Sequence, residues 1–227
     1  MKLTFYGHAC VAVETKGKTI LFDPFITPNE QAAKIDVDAI HADYILATHA
    51  HFDHVADVES IAKRCGSKFV SNYEVTSHFG EKGVQGHPLN HGGKVRFDDL
   101  GTVKYVNAIH TSSFQDGNYG GQPGGFVVWN DEGCFYHAGD TALTMDMQLI
   151  PRTCPKLDFA LLPIGDNFTM GYEDAVLAAD LVEVETVIGI HYDTFGYIKI
   201  DHAAAKKAFA DAGKKLILLS IGESVEL

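Results

Sequence analysis

The chain has 227 residues, 46% of them apolar and 21% charged, a balance that supports a sizeable globular core and excludes disorder as the main state. Thirty acidic side chains against 18 basic ones leave a formal charge of -12, which repels polyanions and makes nucleic acid an unfavoured partner. No stretch approaches the roughly 20 consecutive apolar residues of a membrane-spanning helix, so the expected partner is a small-molecule substrate and no membrane, with a homo-oligomer left open.

In chain order, Leu3 to Tyr6, Cys10 to Glu14 and Thr19 to Phe22 read as a meander of strands with a hairpin at Gly17. Met1 and Lys2 lead straight into it, without the basic start, apolar run and cleavage site of an export signal, so a cytoplasmic location is expected. Asp23-Pro24 ends the third strand, because proline has no amide proton for a continuing ladder. A short strand over Asp43 to Ala47 delivers a polar cluster, Thr48 to His54, and Val55 to Arg64 follows at helical spacing with Gly66 to stop it.

Later strands are predicted at Lys68 to Val70, Thr102 to Ile109, Gly125 to Trp129, Cys134 to His137, Phe159 to Pro163, Val187 to Ile190 and Leu216 to Ile221. Helices fit Tyr172 to Val182 and His202 to Ala212. No repeat, low-complexity tract or linker interrupts this order, so residues 1–227 read as one domain. Short strands with interspersed helices suggest two packed sheets with helices outside. Cys10, Cys65, Cys134 and Cys154 form no C-x-x-C pair, which suggests neither a disulfide framework nor a zinc ribbon and fits a reducing compartment.

The chemistry concentrates in the histidines. His49-Ala50-His51-Phe52-Asp53-His54 gathers three imidazoles and a carboxylate immediately after a predicted buried strand. These are the borderline ligands that hold zinc, iron or manganese. In an extended loop His49 and His51 point the same way and can share one ion, while Asp53 and His54 lie beyond the bend and can face a second. His110, Asp140 and His191 repeat the logic, each a potential ligand at the carboxyl end of an apolar strand.

With this H-x-H-x-D-H loop, a distant histidine, an aspartate and a last histidine in order, the chain resembles the metallo-beta-lactamase superfamily. Within it the text is similar to metal-dependent hydrolases related to ascorbate 6-phosphate lactonase. That similarity rests on Tyr6-Gly7-His8-Ala9, Phe22-Asp23-Pro24-Phe25, Tyr136 to Thr141, Pro163 to Gly171 and His191-Tyr192-Asp193-Thr194-Phe195. Asp193 stands where such relatives commonly have asparagine.

The resemblance implies an α+β fold, an αββα sandwich of two mixed β-sheets flanked by helices, with a dinuclear site at one edge. It further implies that His49, His51 and His110 bind one divalent ion and Asp53, His54 and His191 a second, with Asp140 bridging. Zinc is the first expectation, and manganese, iron or nickel suit the same donors. Two such ions roughly 3.5 to 4 Å apart lower the pKa of a shared water toward neutrality, so hydroxide would attack a small ester, lactone or phosphoester.

Asp53 is a candidate proton acceptor as well as a ligand. His8 is a candidate proton donor or substrate contact, with a hydrogen bond to a ligand as the alternative. Asp166, Asn167 and Thr169 are candidate substrate contacts or, alternatively, a turn capping the following helix. The segment Ser112 to Gly125 is read as a lid or a simple connector. Two other functions compete: a di-iron redox protein, whose relatives often carry glutamate at the place of His51, and a non-catalytic metal-dependent binding module.

Overall fold

Alternating burial along the first residues sets the frame. The computed structural model describes residues 1–227, and in it β1 (Lys2–Gly7), β2 (Cys10–Thr15) and β3 (Lys18–Phe22) form the expected antiparallel meander. The chain then runs through β4 (Tyr44–Leu46), α1 (Phe52–Val55), α2 (Val58–Cys65), β5 (Lys68–Ser71), α3 (Tyr73–Glu81) and β6 (Gly86–Pro88), with β3 to β6 mutually parallel.

From β7 (Lys94–Phe97) a second sheet is built through β8 (Gly101–Asn107), β9 (Gly124–Asn130), β10 (Gly133–His137), α4 (Ile150–Thr153) and β11 (Phe159–Pro163). It continues through α5 (Tyr172–Leu181), β12 (Thr186–Ile190), α6 (His202–Asp211) and β13 (Lys215–Ile217), after which β14 (Ser224–Glu226) returns to pair with β1. The sheet orders are β14-β1-β2-β3-β4-β5-β6 and β13-β12-β11-β10-β9-β8-β7.

Three separate apolar layers make this an αββα sandwich. Phe5 and Phe22 from the first sheet meet Phe126, Phe135 and Phe159 from the second in the central layer, where Phe135 and Phe159 stack at 5.1 Å. Burying each such ring contributes about 1.5–3 kcal/mol. Val58, Ile61 and Phe79 seal α2 and α3 onto the outer face of the first sheet. Ala175, Ala178, Ala179 and Phe209 do the same for α5 and α6 on the second, small residues letting the helices approach closely.

The expected helix over Val55 to Arg64 is two pieces broken around Asp57. Its buried carboxylate accepts the amides of Ile26 and Thr27 at 2.6 and 3.0 Å, so this stretch is tied to the loop after β3 and cannot continue as one regular helix. The last predicted strand stops at Ile217, and Ser220 to Glu223 turn the chain toward β14. Elements α3, α4, β6, β7 and β14 were not expected from the sequence pattern. No helix is long and apolar enough to cross a membrane.

Strand direction decides where the side chains of interest collect. β1, β3 and β4 run the same way in one sheet, as do β8, β10 and β12 in the other. His8, Asp23, His49, His110, Asp140 and His191 all lie within three residues after the carboxyl end of one of these strands.

Candidate metal centre

Those strand ends bring the expected donors into contiguous groups. His49, His51 and His110 present nitrogen atoms within 4.8 Å of one another; ring nitrogens of His8, His54 and His191 and a carboxylate oxygen of Asp53 do the same; and His49, His54 and Asp140 form a third set that joins the two. Asp140 Oδ2 lies 3.0 Å from His191 Nε2, 3.3 Å from His54 Nε2 and 3.4 Å from His110 Nε2. One carboxylate oxygen therefore faces both groups.

The surrounding hydrogen bonds fix which nitrogen of each ring looks inward. Asp23 is fully buried and accepts from Thr48 N and Thr48 Oγ1, both at 2.7 Å, and from His54 Nδ1 at 2.9 Å. A carboxylate only accepts, so His54 carries a proton on Nδ1 and turns Nε2 to the cluster, the atom through which it can meet a cation. Thr48 Oγ1 spends its proton on Asp23 and so accepts from His49 Nδ1 at 3.0 Å, leaving His49 Nε2 free in the same sense. His49 Nε2 then faces His51 Nδ1 across 2.9 Å, a separation that suits a shared proton or a shared cation.

Whether a cation fits is tested by the atoms left over. His54 Nε2, Asp140 Oδ1 and His191 Nδ1 are buried without a hydrogen-bond partner. Orphaned buried polar atoms cost about 1–3 kcal/mol each, and a divalent ion among nitrogen and carboxylate donors would satisfy His54 Nε2, which faces the cluster. The donor set fits such ions.

Backbone strain collects at the same place. His8, Asp23 and His191 have φ of 57°, 42° and 55°, left-handed values that cost a non-glycine residue about 1–3 kcal/mol. The His191 amide donates to the His8 carbonyl at 2.8 Å, so the strained turns of the two sheets hold each other. Gly139 has φ +63°, and a Cβ there would stand 2.7 Å from Thr48 Cβ. Gly139→Ala should therefore destabilise the fold by about 2–3 kcal/mol and lower metal content by pushing Thr48 and Asp140 apart. A melting curve and metal analysis check this; wild-type values in both would contradict the packing argument.

Burial dominates the electrostatics. It pushes His49, His51 and His110 below the ordinary histidine range, with the neighbouring His54 adding to the effect at His49 and His51, so these rings stay neutral and keep their lone pairs. Burial also lowers His8, to about 4. At His54 burial acts the same way, but Asp140 and Asp23 outweigh it and raise the ring. Burial would raise Asp53 and Asp140, yet His8 and His54 for the first, and His191 and His54 for the second, hold both below the ordinary carboxylate range.

A pH dependence follows for the metal-free chain. Histidines in the unfolded state titrate near about 6.5, whereas His8 does so at about 4 in the fold, so the unfolded state binds more protons between those values. Stability is full above the upper value and is lost as pH falls through the window. Asp53 and Asp140 add to the loss at lower pH; His54 alone has the opposite sign. The melting temperature should drop from pH 7 to pH 4.5, and a flat or rising trend in thermal melts would contradict this.

His8 is buried, and its Nε2 meets Asp53 Oδ2 at 3.0 Å while Thr194 Oγ1 lies 3.0 Å from Nδ1. It does not line the cavity of roughly 670 Å³ that opens over Asp53, His51, His110, Asp140 and His191. Nor do Asp166, Asn167 or Thr169: from their loop only Phe168 reaches the cavity. Asp166 Oδ1 instead accepts the Asn167 amide, and α5 begins after Gly171 with no side-chain cap, so these residues form a turn without capping the helix.

The segment after His110 is pinned by buried bonds. Ser112 Oγ accepts the Ala50 amide at 3.1 Å and donates to Gly120 O, and Asn72 Nδ2 donates to Gly120 O and Gln122 O. It braces the peptide between His49 and His51, and none of residues 112–125 lines the cavity. His137 Nδ1 accepts the Gly139 amide at 3.2 Å and its ring stacks on Phe22, supporting the Asp140 turn from behind. Asp23 and Thr194 are the contributors the sequence reading missed as site residues. Asp23 carried the same signal as the donors, a carboxylate at the end of an apolar strand; Thr194 carried only its place in the stretch that follows His191.

Two packed mixed sheets with outer helices and a histidine-carboxylate cluster at one edge define a metallo-hydrolase of the metallo-beta-lactamase fold. The beta-lactamase superfamily domain matches residues 18–192. Over its full length the chain is 60% identical to a UPF0173 metal-dependent hydrolase of Flavobacterium johnsoniae and 58% identical to one of Christiangramia forsetii, covering 100% of each. The structure superposes on a metallo hydrolase from the hyperthermophilic archaeon Ignicoccus hospitalis with a TM-score of 0.87 and 37% identity, over 99% of this chain and 97% of that one. The chain belongs to the UPF0173 family of metal-dependent hydrolases within the beta-lactamase superfamily.

Proposed function

We propose that the chain is a dinuclear hydrolase for a small ester, lactone or phosphoester, with His49, His51 and His110 holding one divalent ion and Asp53, His54 and His191 the other. The observation that carries this reading is Asp140 Oδ2, which stands within 3.4 Å of a nitrogen from each donor group and is the natural bridge. Zinc is the first choice of ion for such donors. Divalent ions, when bound, bring the pKa of water toward neutrality and act as Lewis acids at the scissile bond.

The chain's own residues do the positioning. Asp23 and Thr48 orient His54 and His49, and His8 holds Asp53. Asp53 lines the cavity and is a quarter exposed, so it can also take a proton from water entering there, a role subordinate to ligation. His8 is best read as a positioning residue. The four free thiols fit a reducing compartment, and we assign the chain to the cytoplasm on that ground.

The test is an anaerobically purified sample, analysed for native metals and screened with esters, lactones and phosphodiesters. Two ions per chain and metal-dependent turnover are expected. Stoichiometric metal with no turnover in any metal form would favour the binding-module reading; oxygen consumption by an iron-loaded sample would favour the redox one. His8→Ala should lower turnover about 10- to 100-fold, as loss of a group orienting a ligand does, while most of the metal is retained.

A further inference from the structure

The cavity above the donor cluster is divided by chemistry. Its floor is the cluster itself, with Thr111; its walls are Pro28 and five aromatic rings, Phe25, Phe52, Phe168, Phe195 and Tyr197. The rings form connected pairs: Phe25 lies 5.9 Å from Phe52 and 6.3 Å from Phe195, and Phe168 lies 6.3 Å from Tyr197. No lysine or arginine lines any part of it.

Two features of this collar point to a ligand. Ten large apolar side chains are exposed on the whole molecule, and four of them, Phe52, Phe168, Phe195 and Tyr197, stand at this one opening. Phe168 is 50% and Tyr197 79% exposed, surface that gains by being covered. Conversely, sites that select a phosphoryl group surround its outer oxygens with guanidinium, ammonium or helix amides. Here those oxygens would meet aromatic faces, in a chain whose net charge of -12 already repels anions.

We infer that the substrate is an uncharged ester or lactone whose acyl or alkyl part is apolar, seated against the aromatic collar with its carbonyl over the donor cluster, and that phosphoesters are much poorer substrates. This rests on the hydrolase reading and narrows its substrate class. In the reaction water adds its oxygen to the acyl carbon, the acyl–oxygen single bond breaks, and a carboxylate, an alcohol and one proton leave. The collar contributes the same contacts before and during that step, so it governs substrate binding more than the rate of bond cleavage.

The experiment uses the metal-loaded enzyme and p-nitrophenyl acetate, butyrate and hexanoate against bis(p-nitrophenyl) phosphate, compounds that share a leaving group. We expect kcat/KM to rise at least about ten-fold from acetate to hexanoate, as added methylenes find apolar contact, and the phosphodiester to lag the hexanoate by about 100-fold or more. Phe168→Ala with Tyr197→Ala, both at exposed positions, should raise KM for hexanoate about ten-fold with kcat nearly unchanged. Faster turnover of the phosphodiester, or indifference to chain length and to the double variant, would overturn the inference while leaving a hydrolase.

Calorimetry with 2-pentylcyclopentanone, a lactone-shaped ketone with no hydrolysable bond, separates the two readings. Binding weakened about ten-fold by the double variant supports the apolar collar even if no ester is turned over, in which case the hydrolase reading fails alone. No binding by the wild-type enzyme overturns the collar as a substrate site.

Discussion

Asp140→Ala should lose at least one ion per chain and lower turnover about a thousand-fold or more, a scale set by removing a centre that activates water and stabilises transition-state charge. The side chain is buried, and its Oδ2 stands within 3.4 Å of nitrogen atoms from two strand ends and from α1 while Oδ1 has no partner. Alanine removes the negative charge shared by the two donor groups and leaves His54, His110 and His191 facing one another.

Burial and the neighbouring histidines make that charge hard to replace. His54 is raised against its burial chiefly by Asp140 and Asp23, and losing Asp140 removes the larger of these two contributions. Asp140→Asn keeps the shape without the charge and should fail nearly as badly, which separates electrostatics from packing. Metal analysis, turnover and circular dichroism decide the matter. Two tightly held ions and undiminished turnover in a folded Asp140→Ala chain would remove the bridging role.

Legibility in the sequence followed the strength of local patterns. The central strands were readable because continuous apolar runs such as Val187 to Ile190 and Phe159 to Pro163 are buried on both faces. The missed elements lack such patterns. β6 is Gly-His-Pro at a sheet edge, and pairing with Phe69 to Ser71 makes it a strand. α3 buries only Val75, Thr76 and Phe79 and carries Gly80, so its Asn72 cap and its contact with the sheet decide its conformation.

The donors stood out because histidine and aspartate are conspicuous after apolar runs. Their grouping needed the strand directions, which spacing alone does not give. The polar residues Asp166, Asn167 and Thr169 looked suited to a substrate, whereas Phe168 between them lines the cavity. Asp166 and Asn167 are both left-handed with φ of 59°, so the chain turns sharply there and residue type alone was a poor guide to which side chain meets the cavity.

Asp23→Asn should weaken zinc binding about 10- to 100-fold although Asp23 is in none of the donor groups. As a carboxylate it accepts three hydrogen bonds, two of them on Oδ2, from Thr48 Oγ1 and His54 Nδ1. Asparagine can still accept the Thr48 amide on its oxygen, but its NH2 group then confronts two donors. His54 is driven to the other tautomer, with its proton on Nε2 and aimed at the cluster. Thr48 Oγ1 loses its acceptor, and with it the orientation that makes it accept from His49 Nδ1.

One atom replacement thus turns a ligand in each donor group the wrong way, and a displaced buried hydrogen bond costs a further 1–3 kcal/mol or so of stability. Asp57→Asn is the control. Asp57 is another buried carboxylate, but it holds the amides of Ile26 and Thr27 and touches no donor, so its loss should lower stability without the same loss of zinc affinity. Chelator competition and thermal melts on both variants separate the effects. If Asp23→Asn bound zinc as tightly as the native chain while melting as early as Asp57→Asn, Asp23 would be a scaffold residue, and the inward lone pairs of His49 and His54 would need another cause.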